Sequence, residues 1–211
     1  MYTGKGFLSM SRLFVVMGKS ATGKDTIFKK LKENTELKLK SVVGYTTRPI
    51  RDGETEGVEY YFVKEDTLTK LKESGKIIEH RAYHTIHGIW YYFTADDGQI
   101  DLTCSDYVMI GTLEAYEQIR SYYGEKAVVP IYIEVEDGLR LERALHRERS
   151  QEYPKYKEMC RRYLADEEDF SEENLSRLKI DRRYENKDIA VCLNKIILDI
   201  NQSGTEDNVL A

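Results

Sequence analysis

Gly18-Lys19-Ser20-Ala21-Thr22-Gly23-Lys24 follows directly on the apolar run Leu13–Met17, and its residue types suit the binding of phosphate. Two glycines with four residues between them let the backbone curl, so that successive N–H groups point at one anion. A helix starting where the loop ends adds the positive end of its dipole. Lys24 then extends as a mobile point charge towards the outer phosphates. An apolar strand, Gly-x-x-x-x-Gly-Lys and a helix-compatible segment together make the layout of a nucleotide-binding P-loop. A plain glycine-rich turn shares the outline, but the flanking strand and helix patterns favour the phosphate loop. One position departs from the motif: Asp25 stands where a Ser or Thr hydroxyl ordinarily meets Mg²⁺. Either its carboxylate takes the metal, directly or through water, or Thr26 supplies a hydroxyl one residue on.

A second chemical cluster is Tyr45-Thr46-Thr47-Arg48-Pro49-Ile50-Arg51-Asp52-Gly53-Glu54. Arg48 and Arg51 flank a proline that stiffens the turn, and their planar forks can grip one phosphate from two sides. The competing reading pairs them with Asp52 or Glu54 at the surface. Gly57-Val58-Glu59-Tyr60-Tyr61-Phe62 and the strand end Lys76-Ile77-Ile78-Glu79 follow. His80, His84, His87 and Cys104 lack the tight spacing of metal ligands and read as ordinary histidines. The arginines of 140–149 alternate with glutamates, as on a salt-bridged helix face.

These groups need elements to hold them. Leu13–Met17, Ser41–Tyr45, Tyr107–Ile110 and Val128–Val135 read as strands, the last two as central parallel ones. Helical periodicity runs from Thr26 to about Glu33, with Ile27, Phe28 and Leu31 on one face, and through Leu113–Tyr122, Leu139–Arg149 and Ile189–Ile200. Alternating strands and helices predict a doubly wound α/β core with ligands at the carboxyl ends of the strands. Between Thr46 and Asp96 aromatic residues crowd short glycine-punctuated strands, which predicts a small β-rich insert carrying one helix at Glu65–Ser74. The expected division is a core over 1–45, with 1–11 a loose leader, an insert over 46–96, the core again over 97–201, and a flexible tail over 202–211. The arginine-rich stretch 146–163 is expected to form a lid over phosphates.

The balance of 32 Lys+Arg against 37 Asp+Glu gives a net charge of −5, so no basic excess points to nucleic acid. The apolar runs are too short for a bilayer span, and the first residues lack the apolar stretch of a signal peptide. Three widely spaced cysteines fit reduced thiols, and the expected location is the cytoplasm. Protein partners are left open, a homodimer among them.

The ordered set of P-loop, Thr-Thr-Arg-Pro-x-Arg, Gly-Glu-x-x-Gly-x-x-Tyr-x-Phe and Ile-Ile-Glu resembles the guanylate kinases, from about Leu13 to Ile200. The resemblance implies an α/β P-loop kinase core, with a parallel sheet flanked by helices, a β-rich insert that binds the acceptor and a helical lid. It implies Mg²⁺-dependent transfer of the ATP γ-phosphoryl group to GMP, with dGMP as a further acceptor. Gly18, Lys19, Ser20, Ala21, Thr22, Gly23, Lys24, Asp25, Thr26 and, on the adenine side, Asn186 would then bind ATP. Arg48, Arg51 and Tyr60 would hold the GMP phosphate, Glu79 the guanine N1–H and 2-amino group, and Tyr92 and Thr94 phosphate and base. Arg147 or Arg149, with Arg161 or Arg162, would join Lys24 and Arg48 in neutralising charge during transfer.

Four features depart from the family: Asp25, Gly44 in place of a common serine, the absence of aspartates after Val108-Met109-Ile110, and the longer stretch His84–Trp90. A Gly-Lys-Asp loop and Tyr-x-Thr-Arg-Pro also resemble the ribose 1,5-bisphosphate kinases, although the set Arg51, Tyr60 and Glu79 favours GMP. Guanylate kinase-like domains that bind proteins without catalysis usually lose the Gly-x-x-x-x-Gly-Lys pattern, which is intact here.

Overall fold

Five consecutive apolar residues have a natural place at the centre of a parallel sheet, covered on both faces. Leu13–Met17 forms that strand, β1, and none of its residues is more than 1% exposed. The computed structural model describes residues 11–85 and 88–206. After β1 come α1 (Lys24–Glu33), β2 (Lys40–Ser41), β3 (Gly44–Thr46), β4 (Tyr60–Phe62), α2 (Glu65–Glu73), β5 (Ile77–Thr85) and β6 (Gly88–Ala95). The second half runs β7 (Tyr107–Ile110), α3 (Leu113–Tyr123), β8 (Val128–Glu134), α4 (Asp137–Arg149), α5 (Tyr156–Asp169), α6 (Glu172–Arg177), β9 (Arg183–Glu185) and α7 (Ile189–Glu206).

The core is a five-stranded sheet in the order β2-β7-β1-β8-β9, and its neighbours pair in parallel. Side chains alternate across the sheet. Leu13, Val15 and Met17 of β1 pack with Tyr116 and Ile119 of α3 and with Phe170 and Leu175. Phe14 and Val16 pack on the other face with Ile27 and Leu31 of α1 and with Cys192, Ile196 and Ile200 of α7. The α/β core, with helices on both faces of a parallel sheet, is therefore the observed fold.

The second sheet has the order β4-β3-β6-β5, with the long β5–β6 hairpin at one side. Of the stretch His84–Trp90, His84, Thr85 and Gly88–Trp90 lie at the far end of that hairpin, Thr85 pairing with Gly88, while residues 86 and 87, His87 among them, lie outside the described residues. Its helix, α2, lies where the sequence places it. The sheet docks on the core through Gln118 of α3. That amide accepts the His80 N–H at 3.1 Å and donates to the His80 carbonyl at 3.3 Å.

The expected strand Ser41–Tyr45 is instead two strands in two sheets. β2 pairs with β7, whereas β3 pairs with β4 and β6. Between them, the Gln99 side chain takes both backbone groups of Val43, at 3.0 and 3.2 Å, leaving that residue out of any ladder. α1 starts two residues before Thr26, with Gly23 as its N-cap at φ 83°, a left-handed conformation that favours glycine. The expected tail is helical through Glu206, while the leader residues 1–10 and the last residues 207–211 lie outside the described residues. The stretch 146–163 comprises the end of α4, a connector and the first half of α5. No described helix is long and apolar enough to cross a membrane.

The P-loop lies against β8. A Cβ on Gly18 would come within 2.5 Å of the Ile133 carbonyl oxygen and 2.9 Å of Thr22 Oγ1. Ile133 is fully buried strand backbone and cannot yield cheaply. Gly18→Ala should therefore lower the unfolding free energy in urea by about 1–3 kcal/mol, the usual cost of overpacking a fixed site. An unchanged denaturation midpoint would show that the loop is not seated on β8.

Candidate active site

The P-loop is tied together from within and from below. Thr22 Oγ1 donates to the Lys19 carbonyl at 2.9 Å, and Asn186 Nδ2 donates to the Thr22 carbonyl at 2.8 Å. Asn186 is buried, and a Cβ on Gly23 would stand 2.6 Å from its Nδ2. Its observed contact is thus with the loop backbone. Ala21 takes a left-handed φ of 66°, adding to the curl of the loop.

Carboxylates of α5 reach the same loop. Asp166 accepts the Ser20 N–H at 2.7 Å, and Glu167 accepts from Lys19 Nζ at 2.7 Å. Arg140, wholly buried, pairs with Asp137, Asp166 and Glu167 and stacks 3.8 Å from the Tyr163 ring. Lys24 Nζ lies 3.6 Å from the Asp25 carboxylate, whose side chain is exposed, as is Thr26. Among the described residues no three His, Cys, Asp or Glu side chains converge as a metal cage. Asp25 is a single hard oxygen donor at the start of α1, which suits an ion held mainly by nucleotide phosphates.

A cavity of about 740 Å³ opens at the carboxyl end of β7, where Ile110, Gly111 and Thr112 line it. Lys24 and Asp25 face it from the P-loop side, and Arg48, Arg51, Tyr60, Glu79, Tyr92 and Thr94 face it from the second sheet. Gly44 lines it too, with room for a Cβ at ordinary contact distances, so nothing steric demands glycine there.

Arg48 is 3% exposed. Its two terminal nitrogens donate to Glu54 at 2.6 and 2.5 Å, its Nε to the Tyr92 hydroxyl at 3.0 Å, and it lies 5.3 Å from the ring centres of both Tyr60 and Phe62. Glu54 also accepts the Arg51 N–H at 2.9 Å. The pairing with Glu54 suggested by the sequence is real for Arg48, but in a buried setting rather than at the surface. Hydrogen bonds from Arg48 hold the Glu54 carboxyl below its ordinary range, against the effect of burial. Burial raises the Tyr60 hydroxyl, and Tyr92 adds to this while Arg81 and Arg48 oppose it, so Tyr60 remains a proton donor at neutral pH.

Glu79 is 2% exposed and accepts from Thr94 Oγ1 at 2.9 Å. Its other partner, Arg81, was not singled out from the sequence. The signal was available, since residues two apart on a strand face the same side. Arg81 also lines the cavity and donates to Thr112, the N-cap of α3, at 3.3 Å. Asp166 and Glu167 were likewise not singled out, because their partners Ser20, Lys19 and Arg140 are distant in sequence.

A second cleft, of about 510 Å³, lies between Ser20 of the P-loop, Arg51 and Trp90, and the α4–α5 region. Of the four candidate lid arginines, Arg147 and Arg162 line it, and Arg149 and Arg161 do not. Arg161 and Arg162 share Glu158, whose carboxyl is held down to about 2 by the Arg161 hydrogen bond, with Arg162 assisting and burial opposing.

Residues 10–102 match the family model described as Guanylate kinase. A guanylate kinase of Clostridioides difficile (strain 630) is 39% identical over 84 residues, covering 39% of this chain and 40% of that protein. One of Legionella pneumophila (strain Lens) is 33% identical over 138 residues, covering 64% of this chain and 63% of that protein. The matches thus span less than two thirds of these relatives' lengths. The crystal structure of a guanylate kinase from Anaplasma phagocytophilum has the same fold, with a TM-score of 0.61 at 22% identity over 93% of this chain and 87% of that one.

The Arg48–Glu54 pair has a pH signature. Because the Glu54 carboxyl is held low, its stabilisation is complete above the ordinary carboxylate range and is lost as pH falls through the lowered value. Glu54→Gln should cost about 2 kcal/mol of unfolding free energy at neutral pH. The gap between the proteins should close only below about pH 4. Urea melts from neutral to acid pH measure it, and a gap of constant size throughout would contradict the pairing.

Proposed function

We propose that this protein, whose residues 10–102 match the guanylate kinase family model, transfers the γ-phosphoryl group of ATP to the phosphate of GMP, and to that of dGMP, giving ADP and the nucleoside diphosphate. The observation that carries the reading is the single cavity that Lys24 of the P-loop shares with Arg48, Arg51, Tyr60 and Glu79. In it, donor and acceptor phosphates can meet in line.

On this reading the P-loop amides and Lys24 hold the β- and γ-phosphates, and the Arg48 and Arg51 guanidiniums with the Tyr60 hydroxyl hold the acceptor phosphate. Glu79 and Thr94 face the base. Arg51 borders both cavities, so with Arg147 and Arg162 it can neutralise charge between the two nucleotides. Mg²⁺ bound beside Asp25 would supply further neutralisation of the triphosphate. The acceptor oxygen is already ionised at neutral pH, so the chain needs no strong base, and its contribution is positioning and electrostatic stabilisation. Enclosure by the second sheet and the α4–α5 region limits transfer to water.

A sugar bisphosphate is the second reading, and one observation favours it. Arg81 brings a further, partly buried cation into the acceptor cavity, where a second anionic group could lie.

A coupled assay of ADP release with ATP·Mg²⁺ and GMP, dGMP, AMP, UMP or ribose 1,5-bisphosphate tests the proposal. Turnover should be confined to GMP and dGMP, and turnover confined to the sugar bisphosphate would replace the reading. Arg48→Ala should lower kcat/KM for GMP by about 100-fold or more, as loss of a pre-set charge donor does elsewhere, with little change in KM for ATP. Near-normal GMP turnover in that variant would remove Arg48 from the acceptor site.

A further inference from the structure

Glu79 meets Arg81 in a two-toothed pair. Arg81 Nε donates to Oε2 at 3.0 Å and Nη2 faces Oε1 at 3.4 Å, while Thr94 already donates to Oε1. Glu79 is buried and Arg81 partly so, their side chains 2% and 14% exposed. Burial lowers the guanidinium's pKa, but Glu79 more than offsets it, so Arg81 stays charged. The pair is thus a charge-assisted fork at the wall of the cavity.

The N1–C2–N2 edge of guanine is itself a guanidine fragment. It offers two parallel N–H donors with nearly the spacing of arginine's Nε and Nη2, and it would meet the two oxygens of a carboxylate in the same way. Arg81 therefore sits on Glu79 as the base is proposed to sit. We infer that Arg81 is a specificity-determining residue of the acceptor cavity: an internal guanidinium that competes with guanine for the edge of Glu79 and must be displaced when the base enters. The inference rests on the GMP reading and adds to it the way in which the base is admitted.

Two consequences follow for the acceptor. A base with only one donor on that edge can leave one tooth of the Arg81 fork on Glu79 and so displaces less of it than guanine does, which narrows the gap between guanine and such a base while Arg81 is present. The displaced guanidinium still has Thr112 Oγ1 within reach, and the Tyr92 ring centre lies 6.0 Å from its Cζ as an alternative face.

Initial rates with GMP and with inosine monophosphate, which keeps N1–H and lacks the 2-amino group, test the inference in wild type, Arg81→Met and Arg81→Lys. Lysine keeps a cation beside buried Glu79 but cannot span both oxygens, so it covers the case in which the methionine variant fails to fold. Thermal melts verify that each protein is folded. Removing the competitor should lower KM for GMP about tenfold in Arg81→Met and less in Arg81→Lys, with kcat little changed. The preference for GMP over inosine monophosphate, as a ratio of kcat/KM, should rise in both.

Unchanged or higher KM for GMP in the folded variants, with wild type active, would overturn the inference and leave the GMP reading standing. Equal shifts for the two acceptors would also overturn it, since Arg81 would then not discriminate the 2-amino group. Activity on GMP appearing only when Arg81 is replaced would support it. If neither wild type nor variants phosphorylate GMP, the GMP reading fails and the inference with it.

Discussion

A guanidinium taken out of water must be met by carboxylate, and this chain meets that requirement three times around its candidate site. Arg48 is matched by Glu54, Arg81 by Glu79, and Arg140 by Asp137, Asp166 and Glu167. Losing one partner from such a pair leaves a buried charge uncompensated, which costs far more than an exposed ion pair is worth. The pairs therefore fix geometry as well as charge. The first holds Arg48 under a turn, the second holds Glu79 at the cavity wall, and the third ties α5 to the P-loop and α4. A ligand phosphate or base entering the site competes with carboxylates or guanidiniums already in place, so affinity there is a difference between two good partners.

The backbone supplies the frame for these pairs. β1 feeds the P-loop, β7 delivers Gly111 and Thr112 to the cavity, and β8 gives the loop a floor at Ile133. Brought together at the carboxyl ends of parallel strands, these groups occupy the usual ligand crevice of an open α/β sheet. The second sheet adds the facing wall of the cavity and is joined to α3 by Gln118 and by the bridge from Arg81 to Thr112. That bridge links the proposed base-binding pair to the seam between the two sheets. A contact that breaks on acceptor binding there would be felt by both.

What the sequence made legible was whatever is local. The P-loop, the turn carrying Arg48 and Arg51, the apolar strands and the long helices all follow from spacing, periodicity and residue type over short windows. Splitting Ser41–Tyr45 between two sheets was not legible, because the break depends on Gln99, 56 residues away. The choice of Arg147 and Arg162 over Arg149 and Arg161 needed three dimensions, since exposed arginines one or two residues apart differ only in the direction they face. Asn186 was placed near the nucleotide by likeness to a family, whereas its observed contact depends on β9 bringing the next residue under the loop. Arg81 was within reach of strand alternation. Its meaning depended on the burial of Glu79, which no local pattern reveals.

The reading rests on one cavity holding both reacting phosphates, and a ligand that spans donor and acceptor measures this most directly. Adenosine and guanosine joined 5′ to 5′ by five phosphates should bind, by calorimetry with Mg²⁺ present, at least about 100-fold more tightly than ATP or GMP alone, because the second contact becomes intramolecular. Affinity no greater than that of the better single nucleotide would mean that the P-loop and the acceptor wall do not serve one reaction.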